Sequence, residues 1–404
     1  MYKHKKYDGM IDNDIKLKKE DSLLLFSTFW QICALIIQLF LYNFFGYSIH
    51  IHEVVVFSAA LPMVFCVSIW LKRNLIEIVM LYLLLLFVFA LNYLIFPENR
   101  AYLSIYTFEL FFICLPSGIN ISLVRNIELY DRVLRLVSLI ILIIGIAIVL
   151  FQSNIMNTAG YSMSFSYYLL LPVLYFTYKM ANNGINFVTL IAVCIGVLMI
   201  IVYGSRGSLI TWCIYVVAIL LFSSIRLYKK LLFLIPVFCM IVFSDSIISL
   251  IVSLSRKLGA SSRTLNLYLS NELLFHDSGR KNLYMVSSKA IKEHPLIGNG
   301  IGADYRLLDV YTHNIVLDFA LHYGVIIGFV LVLILVIVFI KTYMDCSNKN
   351  LFIMFFCYGL IPLLFSGTYF TSVGFFVLLG FCRSLCSFKM VLKTNKNTYS
   401  GLSI

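Results

Sequence analysis

The chain has 404 residues, of which 61% are hydrophobic, 16% are aromatic and only 12% are charged. Its mean hydropathy of +0.94 excludes an ordinary soluble domain and is typical of a polytopic membrane protein. The net charge of +12 does not indicate a nucleic-acid-binding protein, because no soluble segment carries a basic stripe.

Long apolar segments recur along nearly the whole sequence. A hydrocarbon core about 30 Å thick is crossed by roughly 20 residues of helix, and about twelve segments reach that length. The predicted fold is therefore all-α, a polytopic transmembrane bundle of about twelve helices. The segments lie near 23–43, 53–71, 75–96, 101–118, 133–151, 162–179, 185–203, 208–225, 230–251, 313–340, 350–366 and 368–388.

These segments divide the chain into five parts. The first apolar segment is too long for a signal-peptide core and lacks a small-residue cleavage site, so we expect it to remain as a membrane anchor. The last two segments are also compatible with a single re-entrant element. The parts are an N-terminal tail (1–22), helices one to nine (23–251), an extracytoplasmic loop (252–312), helices ten to twelve (313–388) and a C-terminal tail (389–404).

The positive charges predict the orientation of the bundle. With the N-terminus inside, each inner connection carries or adjoins Lys or Arg, whereas the short outer connections carry only Arg100 and Arg206. This agrees with the preference of basic residues for the cytoplasmic side, and the long 252–312 loop is exempt because of its length. We therefore expect both termini to be cytoplasmic.

The cysteines do not indicate a metal or redox site. The chain has ten, but most lie inside apolar segments, no CxxC occurs and the long outer loop has none. Neither a disulfide framework nor a zinc site is predicted, and nothing in the sequence calls for a cofactor.

The long outer loop contains a predicted amphipathic helix. It follows Asp277-Ser278-Gly279-Arg280, where Asp277 or Ser278 is expected to cap its start, and it ends at His294-Pro295. We expect this helix to lie on the membrane surface beside the bundle. Its apolar stripe consists of Leu283, Val286, Ala290 and Ile291.

Three glycines follow this helix, at positions 298, 300 and 302. Their spacing echoes a dinucleotide-binding loop, but that motif requires a preceding strand and a βαβ unit, which this segment lacks. We interpret them as a tight turn that directs the chain back to the membrane.

Arg206 occupies an outer turn between the seventh and eighth segments. A lone Arg at a helix end is often only an interfacial anchor. Here glycines at 204 and 207 would let a ligand approach the backbone, and Ser205 or Ser208 would cap a helix whose N-terminus points outward. Arg binds phosphate oxygens in bidentate fashion, so the turn predicts a pyrophosphate site.

These features together resemble the O-antigen polymerase/ligase family. The resemblance covers about 200–340 and rests on Ser-Arg-Gly-Ser at 205–208, Ser-Gly-Arg at 278–280, His-Pro-Leu-Ile-Gly-Asn-Gly-Ile-Gly at 294–302, and His313-Asn314 opening a helix that contains Tyr-Gly-Val-Ile. It implies a metal-independent membrane glycosyltransferase whose donor is an oligosaccharide on undecaprenyl pyrophosphate. By the same resemblance, Arg206 and Arg280 match the family's functional arginines and His313 its functional histidine. The chain departs from some polymerases in having a short second outer loop.

The chemistry of such a transfer fits these residue types. Forming a glycosidic bond requires stabilisation of the departing pyrophosphate and removal of a proton from the acceptor hydroxyl. Arginine suits the first task because its charge is permanent, and His313 at a helix N-terminus suits the second because imidazolium is disfavoured there. Direct displacement with inversion is expected. The alternative role for His313 is that of a helix cap. Asn314, Tyr284 and Tyr311 are the predicted substrate-binding residues.

Asp318, His322 and Glu109 fall inside apolar segments, and facing lipid would be costly for them. Asp318 and His322 lie four residues apart on one helical face, so they are expected to pair with each other or to orient the acceptor sugar. Glu109 is likewise expected to face the interior of the bundle.

The predicted function is repeat-unit polymerisation of an O-antigen, capsule or exopolysaccharide in the bacterial cell membrane. Its partners would be the lipid bilayer, the lipid-linked oligosaccharide, and a chain-length regulator and flippase of the same pathway. One alternative is an O-antigen ligase, which transfers the glycan to a lipid A-core or other acceptor. Alternatives of other classes are a polysaccharide transporter or flippase and a membrane acyltransferase, for which only His322 is a candidate.

Overall fold

The computed structural model describes residues 2–46, 49–150, 163–203, 205–223 and 279–385, with the side chains of 2–14, 43, 49, 52 and 203 excepted. Within these ranges all regular structure is helical. The helices are α1 (Tyr2–Phe45), α2 (Ile49–Ile95), α3 (Arg100–Glu109), α4 (Leu115–Leu123), α5 (Glu128–Leu150), α6 (Met163–Asn183), α7 (Phe187–Tyr203), α8 (Arg206–Phe222), α9 (Arg280–Glu293), α10 (Ala303–Leu308), α11 (Ile315–Asp345), α12 (Lys349–Gly359) and α13 (Val373–Leu385).

Five helices in the described part are long and apolar enough to cross a membrane. This confirms an all-helical protein with membrane-spanning character, while the number of about twelve spans stays a prediction. The predicted ninth segment (230–251), the helix cap at Asp277 or Ser278 and the C-terminal tail lie outside the described residues. The five spans are Ile15–Tyr42, Glu53–Ile95, Pro97–Leu123, Glu128–Leu150 and Ile315–Asp345.

Helix α2 is two helical segments in succession. It has 47 residues, but Asn74 leaves the helical conformation with φ −164° and ψ 51°. Arg73, beside this break, pairs with Asp21 at 2.5 Å and with Glu20 at 2.8 Å. The break therefore separates the two segments that the sequence predicts at 53–71 and 75–96.

Polar contacts join several helix ends to one another. Asp21 accepts hydrogen bonds from the N–H groups of Arg125 (2.9 Å) and Asn126 (2.8 Å), and Lys179 pairs with Asp131 at 2.9 Å. All these residues belong to connections predicted to lie inside. The contacts agree with the alternation of helix ends that the charges predict, whereas which end faces the cytoplasm stays a prediction.

The start of helix α6 lies at the other end of the helices from the Asp21 contacts and is tightly packed. Its residues Phe165, Leu169, Leu170 and Leu171 are fully buried in the larger hydrophobic core. A helix packed on nearly all sides has little freedom to shift, since protein interiors are close-packed. Polar groups at the start of α6 are therefore held at fixed positions.

The glycine segment after α9 packs against an interruption in α11. Gly324 has φ 81° and ψ 169°, which breaks the helix. Gly298, Gly300 and Gly302 all have positive φ, which confirms the predicted tight turn. The turn is held from the other side by Asn99, whose amide donates to the carbonyl of Asn299 at 2.7 Å.

Candidate functional site

The Arg206 turn is fixed to the start of α6. The N–H and the hydroxyl of Ser205 each lie 3.1 Å from the Ser166 hydroxyl, and Ser208 donates to the Ser205 carbonyl at 2.9 Å. Ser205 occupies the N-cap position of α8 but makes no side-chain capping bond. The predicted serine cap is therefore not formed at Ser205, because its hydroxyl is held by Ser166.

Position 207 must be glycine because the Tyr167 hydroxyl lies directly against it. The sequence alone did not point to Tyr167. A Cβ at Gly207 would lie 2.3 Å from the Tyr167 hydroxyl. The space beside Gly207 is thus filled by this hydroxyl and not by a ligand, which corrects the role expected for that glycine. The local sequence around Tyr167 gives no signal of this contact, since Tyr is common throughout membrane proteins.

The Tyr167 hydroxyl connects the Arg206 turn with the segment that carries Arg280 and Tyr311. It lies near Ser205 and Ser366 and interacts electrostatically with Arg280 and Tyr311. The oxygen is buried, yet it makes no hydrogen bond of good geometry with any described residue. A buried hydroxyl without a partner costs free energy, so this oxygen has unused capacity to bind a polar group.

Arg280 is the first residue of α9 and follows Gly279, which is left-handed with φ 81°. The packing of α9 agrees with the predicted amphipathic stripe, because Ala290 and Ile291 are buried with Leu321 of α11. The helix therefore rests on the start of α11, and this contact brings Arg280 to the same end as Tyr167 and His313.

His313 does not cap α11. Asn314 is the N-cap, and its carboxamide oxygen accepts from the N–H groups of Val316 (3.0 Å) and Leu317 (3.3 Å). His313 has φ 61°, a left-handed conformation that is uncommon outside glycine. The Thr312 hydroxyl stabilises this bend, since it lies 3.2 Å from the Asn314 N–H and 2.9 Å from the Asn314 carbonyl. The capping alternative for His313 is therefore wrong.

The environment of His313 keeps its imidazole neutral. Burial and then the nearby Arg280 charge lower its pKa from 6.5 to about 4. Its ring centroid lies 4.4 Å from that of Tyr311. Nδ1 is buried and has no hydrogen-bond partner among the described residues. The result is a neutral, oriented imidazole whose Nδ1 is not engaged by any described residue.

The predicted site residues are thus only partly brought together. Arg280, Tyr311 and His313 lie close to one another, and Tyr167 joins them to the Arg206 turn. The carboxamide oxygen of Asn314 is occupied by the helix cap. Tyr284 follows Arg280 by one turn of α9 and is partly buried. No described contact joins it to His313.

A second polar cluster, formed by Asp304, Asp318 and His322, is buried next to the His313 site. The direct partner of His322 is Asp304, which faces Nε2 at 3.2 Å, and Asp318 accepts from the Thr312 hydroxyl at 2.7 Å. Asp318 still interacts electrostatically with His322, so the expected pairing is replaced only as the direct contact. His322 Nδ1 lies 3.1 Å from the hydroxyl of Tyr369. The local sequence gave no reason to place Asp304, eighteen residues before His322, against that imidazole.

Asp304 is the acidic centre of this buried cluster. Burial alone would raise its pKa, but the His322 charge and the hydrogen bond from Tyr106 hold the pKa below its usual value. It is fully buried, so the paired charges fix α10 to α3 and α11. Glu109 keeps much of its surface exposed on α3, yet its carboxylate interacts electrostatically with Tyr168 of α6 and Tyr305 of α10, so it is directed toward neighbouring helices.

Comparison with known proteins finds no family model that matches the sequence and no curated protein with significant similarity.

Proposed function

We propose that the protein is a membrane glycosyltransferase that polymerises a polysaccharide repeat unit carried on undecaprenyl pyrophosphate. The observation that carries the proposal is the convergence of Arg280, Tyr311 and a neutral His313 beside the Arg206 turn, with Nδ1 of His313 lacking a partner among the described residues. The resemblance of the segments around these residues to O-antigen polymerases and ligases supports the same reaction.

Each residue type has a defined task in the proposed reaction. His313 takes the proton of the acceptor hydroxyl while that oxygen attacks the anomeric carbon of the donor sugar. The bond from the anomeric carbon to the pyrophosphate oxygen breaks, and its electron pair leaves with the pyrophosphate. Arg206 and Arg280 stabilise the departing charge, since guanidinium groups bind phosphate oxygens directly. Attack opposite to the leaving group inverts the anomeric configuration.

The position of His313 along α11 suits a lipid-linked substrate. At about 1.5 Å per residue, Gly324 and Lys341 are separated by about 26 Å of helix, a little less than the hydrocarbon thickness. His313 precedes the first part of α11, Ile315–Tyr323, which adds at most about 13 Å. With Lys341 at the inner boundary, His313 would lie near the outer headgroups, which supports the proposal because the pyrophosphate of a polyprenyl carrier would lie at that level.

The same geometry serves a polymerase and a ligase, which differ only in the acceptor. In a polymerase the growing chain is transferred to a fresh lipid-linked repeat unit, and in a ligase to a lipid A-core or another acceptor. We favour the polymerase, acting at the outer face of the bacterial cell membrane with both termini cytoplasmic. A chain-length regulator and a flippase of the same pathway are its proposed partners.

The test is reconstitution of the full chain in vesicles with a lipid-linked oligosaccharide repeat unit. A ladder of products without any further acceptor supports the polymerase, and product only after addition of a separate acceptor supports the ligase. No product under either condition overturns both.

Alanine variants of Arg206 and Arg280 test the site within this assay. Arg100→Ala and Lys281→Ala are matched controls, because both remove a positive charge from the same end of the protein. We expect the first pair to lose product and the controls to retain it. Equal activity in all four variants would remove the arginines from the mechanism.

A further inference from the structure

The glycine segment restores the backbone hydrogen bonds that the break in α11 leaves open. The carbonyls of Leu321 and His322 accept from the N–H groups of Asn299 (2.7 Å) and Gly300 (3.0 Å). The N–H of Val325 donates to the carbonyl of Pro295 at 2.7 Å. In a bilayer an unpaired backbone group is costly, so a broken membrane helix needs such partners.

The turn is in direct contact with the broken helix. A Cβ at Gly298 would lie 2.4 Å from the Gly324 nitrogen, and a Cβ at Gly324 would lie 2.4 Å from the Leu296 carbonyl oxygen. Only two glycines allow the two backbones to approach this closely. The turn therefore lies at the same height as Gly324 along α11.

Two large apolar side chains of this turn point away from the protein. Leu296 is 63% exposed and Ile297 is 68% exposed. Single exposed apolar residues need no explanation, but these two adjoin the apolar surface of α11. Val325, Ile326 and Phe329 are exposed on that helix, which is one of the spans apolar enough to cross a membrane.

The length of α11 gives the depth of this surface. With Lys341 at one hydrocarbon boundary, Gly324 lies about 26 Å away and thus just inside the other boundary of a core about 30 Å thick. The apolar side chains beside Gly324 would then be at the edge of the acyl chains. The Pro295–Gly298 turn has no polar or charged side chain that would be costly to place against acyl chains.

We infer that the Pro295–Gly298 turn of the outer loop is seated in the bilayer, with Leu296 and Ile297 in contact with lipid acyl chains. The surface continues the lipid-facing side of α11 and its partner is the outer edge of the hydrocarbon core. The turn follows α9 directly, so this contact holds α9 and Arg280 at a fixed height above the membrane. The inference does not depend on the proposed reaction.

The test compares two tryptophan variants of the full chain in vesicles. Ile297→Trp places the probe on the turn, and Lys292→Trp places it on the exposed side of α9 as a matched control. Emission of the unsubstituted protein is subtracted, since it contains three tryptophans. The vesicles carry lipids brominated on the acyl chains, which quench tryptophan only at membrane depth.

We expect the added emission at 297 to be quenched by these lipids and little affected by aqueous iodide. The added emission at 292 should show the reverse. Iodide quenching at 297 as strong as at 292, with no effect of the brominated lipids, would overturn the inference. Leu296→Trp provides an independent second position if Ile297→Trp does not insert, with the same expected and contrary results.

Discussion

The two histidines at the start of α11 differ in what their nitrogens contact. His322 is 1% exposed, and its nitrogens face Asp304 at 3.2 Å and Tyr369 at 3.1 Å. His313 is half-buried, and its Nδ1 lacks a partner among the described residues. The comparison shows that burial alone does not distinguish a structural histidine from a candidate catalytic one. The useful criterion is whether a described polar or charged group already faces the nitrogen, as Asp304 faces His322 Nε2 and none faces His313 Nδ1.

The largest expected effect separates these two roles. Replacing His313 by Gln removes the proposed general base, so we expect transfer to slow by about 10²- to 10⁴-fold. Thermal unfolding should hardly change, because Nδ1 makes no hydrogen bond that the substitution would break. The measurement is product formation from the lipid-linked repeat unit, with the unfolding midpoint in detergent recorded beside it.

The control for this variant is His294→Gln, an exposed histidine directly after α9. It should retain the activity of the unsubstituted protein. Near-normal transfer by the His313 variant would show that His313 is not the base and would remove the contrast with His322.

The buried cluster is tested by stability and not by rate alone. Asp304→Asn removes the charge that His322 faces, and loss of one partner of a buried ion pair costs about 3 to 5 kcal/mol. We expect a clear fall in the unfolding midpoint. Asp309→Asn is the control, since Asp309 is exposed at the end of the same short helix and its positive φ is tolerated by Asn. Equal midpoints would mean that the Asp304 pair does not hold the loop in place.

The sequence predicts the helices better than the contacts between them. Apolar segments such as 133–151 are recognisable because crossing a bilayer requires a continuous run of apolar residues. The turn at Gly298–Gly302 was predicted because local conformation depends on local residue types. The Asp304 partner of His322 and the packing of Tyr167 on Gly207 were not, since they depend on the meeting of distant segments. Helical spacing alone suggested Asp318 for His322, and tertiary packing replaced that partner.

A variant of Tyr167 has a smaller expected effect. It tests whether the Arg206 turn and the group around Arg280 and His313 belong to a single site. The Tyr167 hydroxyl lies between the Arg206 turn and Arg280 and makes no hydrogen bond of good geometry with any described residue, so we expect it to donate to the bound substrate. Removal of a hydrogen bond to a charged group typically costs about 1.5–3 kcal/mol, which corresponds to a roughly 10- to 100-fold loss of kcat/KM for Tyr167→Phe.

The matched control is Tyr175→Phe on the same helix, whose hydroxyl lies 3.1 Å from the Asp131 carbonyl at the opposite end. It should leave kcat/KM near normal. If both variants were equally active, Tyr167 would be a packing residue for Gly207 only.

The smallest expected effect is a displacement of the pH profile. Burial and the Arg280 charge lower the pKa of His313, so the neutral base is lost only as the pH falls through about 4. Arg280→Gln removes the second cause and leaves burial, so the acid limb of kcat/KM should move upward, toward 6.5 but not as far. The measured quantity is the midpoint of that limb and not the rate, which the variant lowers in any case.

Lys281→Gln removes the neighbouring positive charge of α9 and should leave the midpoint in place, because among the described residues Arg280, and not Lys281, is the cation that acts on His313. High salt should reduce the difference between the unsubstituted protein and Arg280→Gln, since it screens charges that are partly exposed to water. A midpoint that is the same with and without Arg280 would mean that the guanidinium and the imidazole do not share one site. The neutrality of His313 would then result from burial alone. Its contrast with His322 would rest only on Nδ1, which has no partner among the described residues.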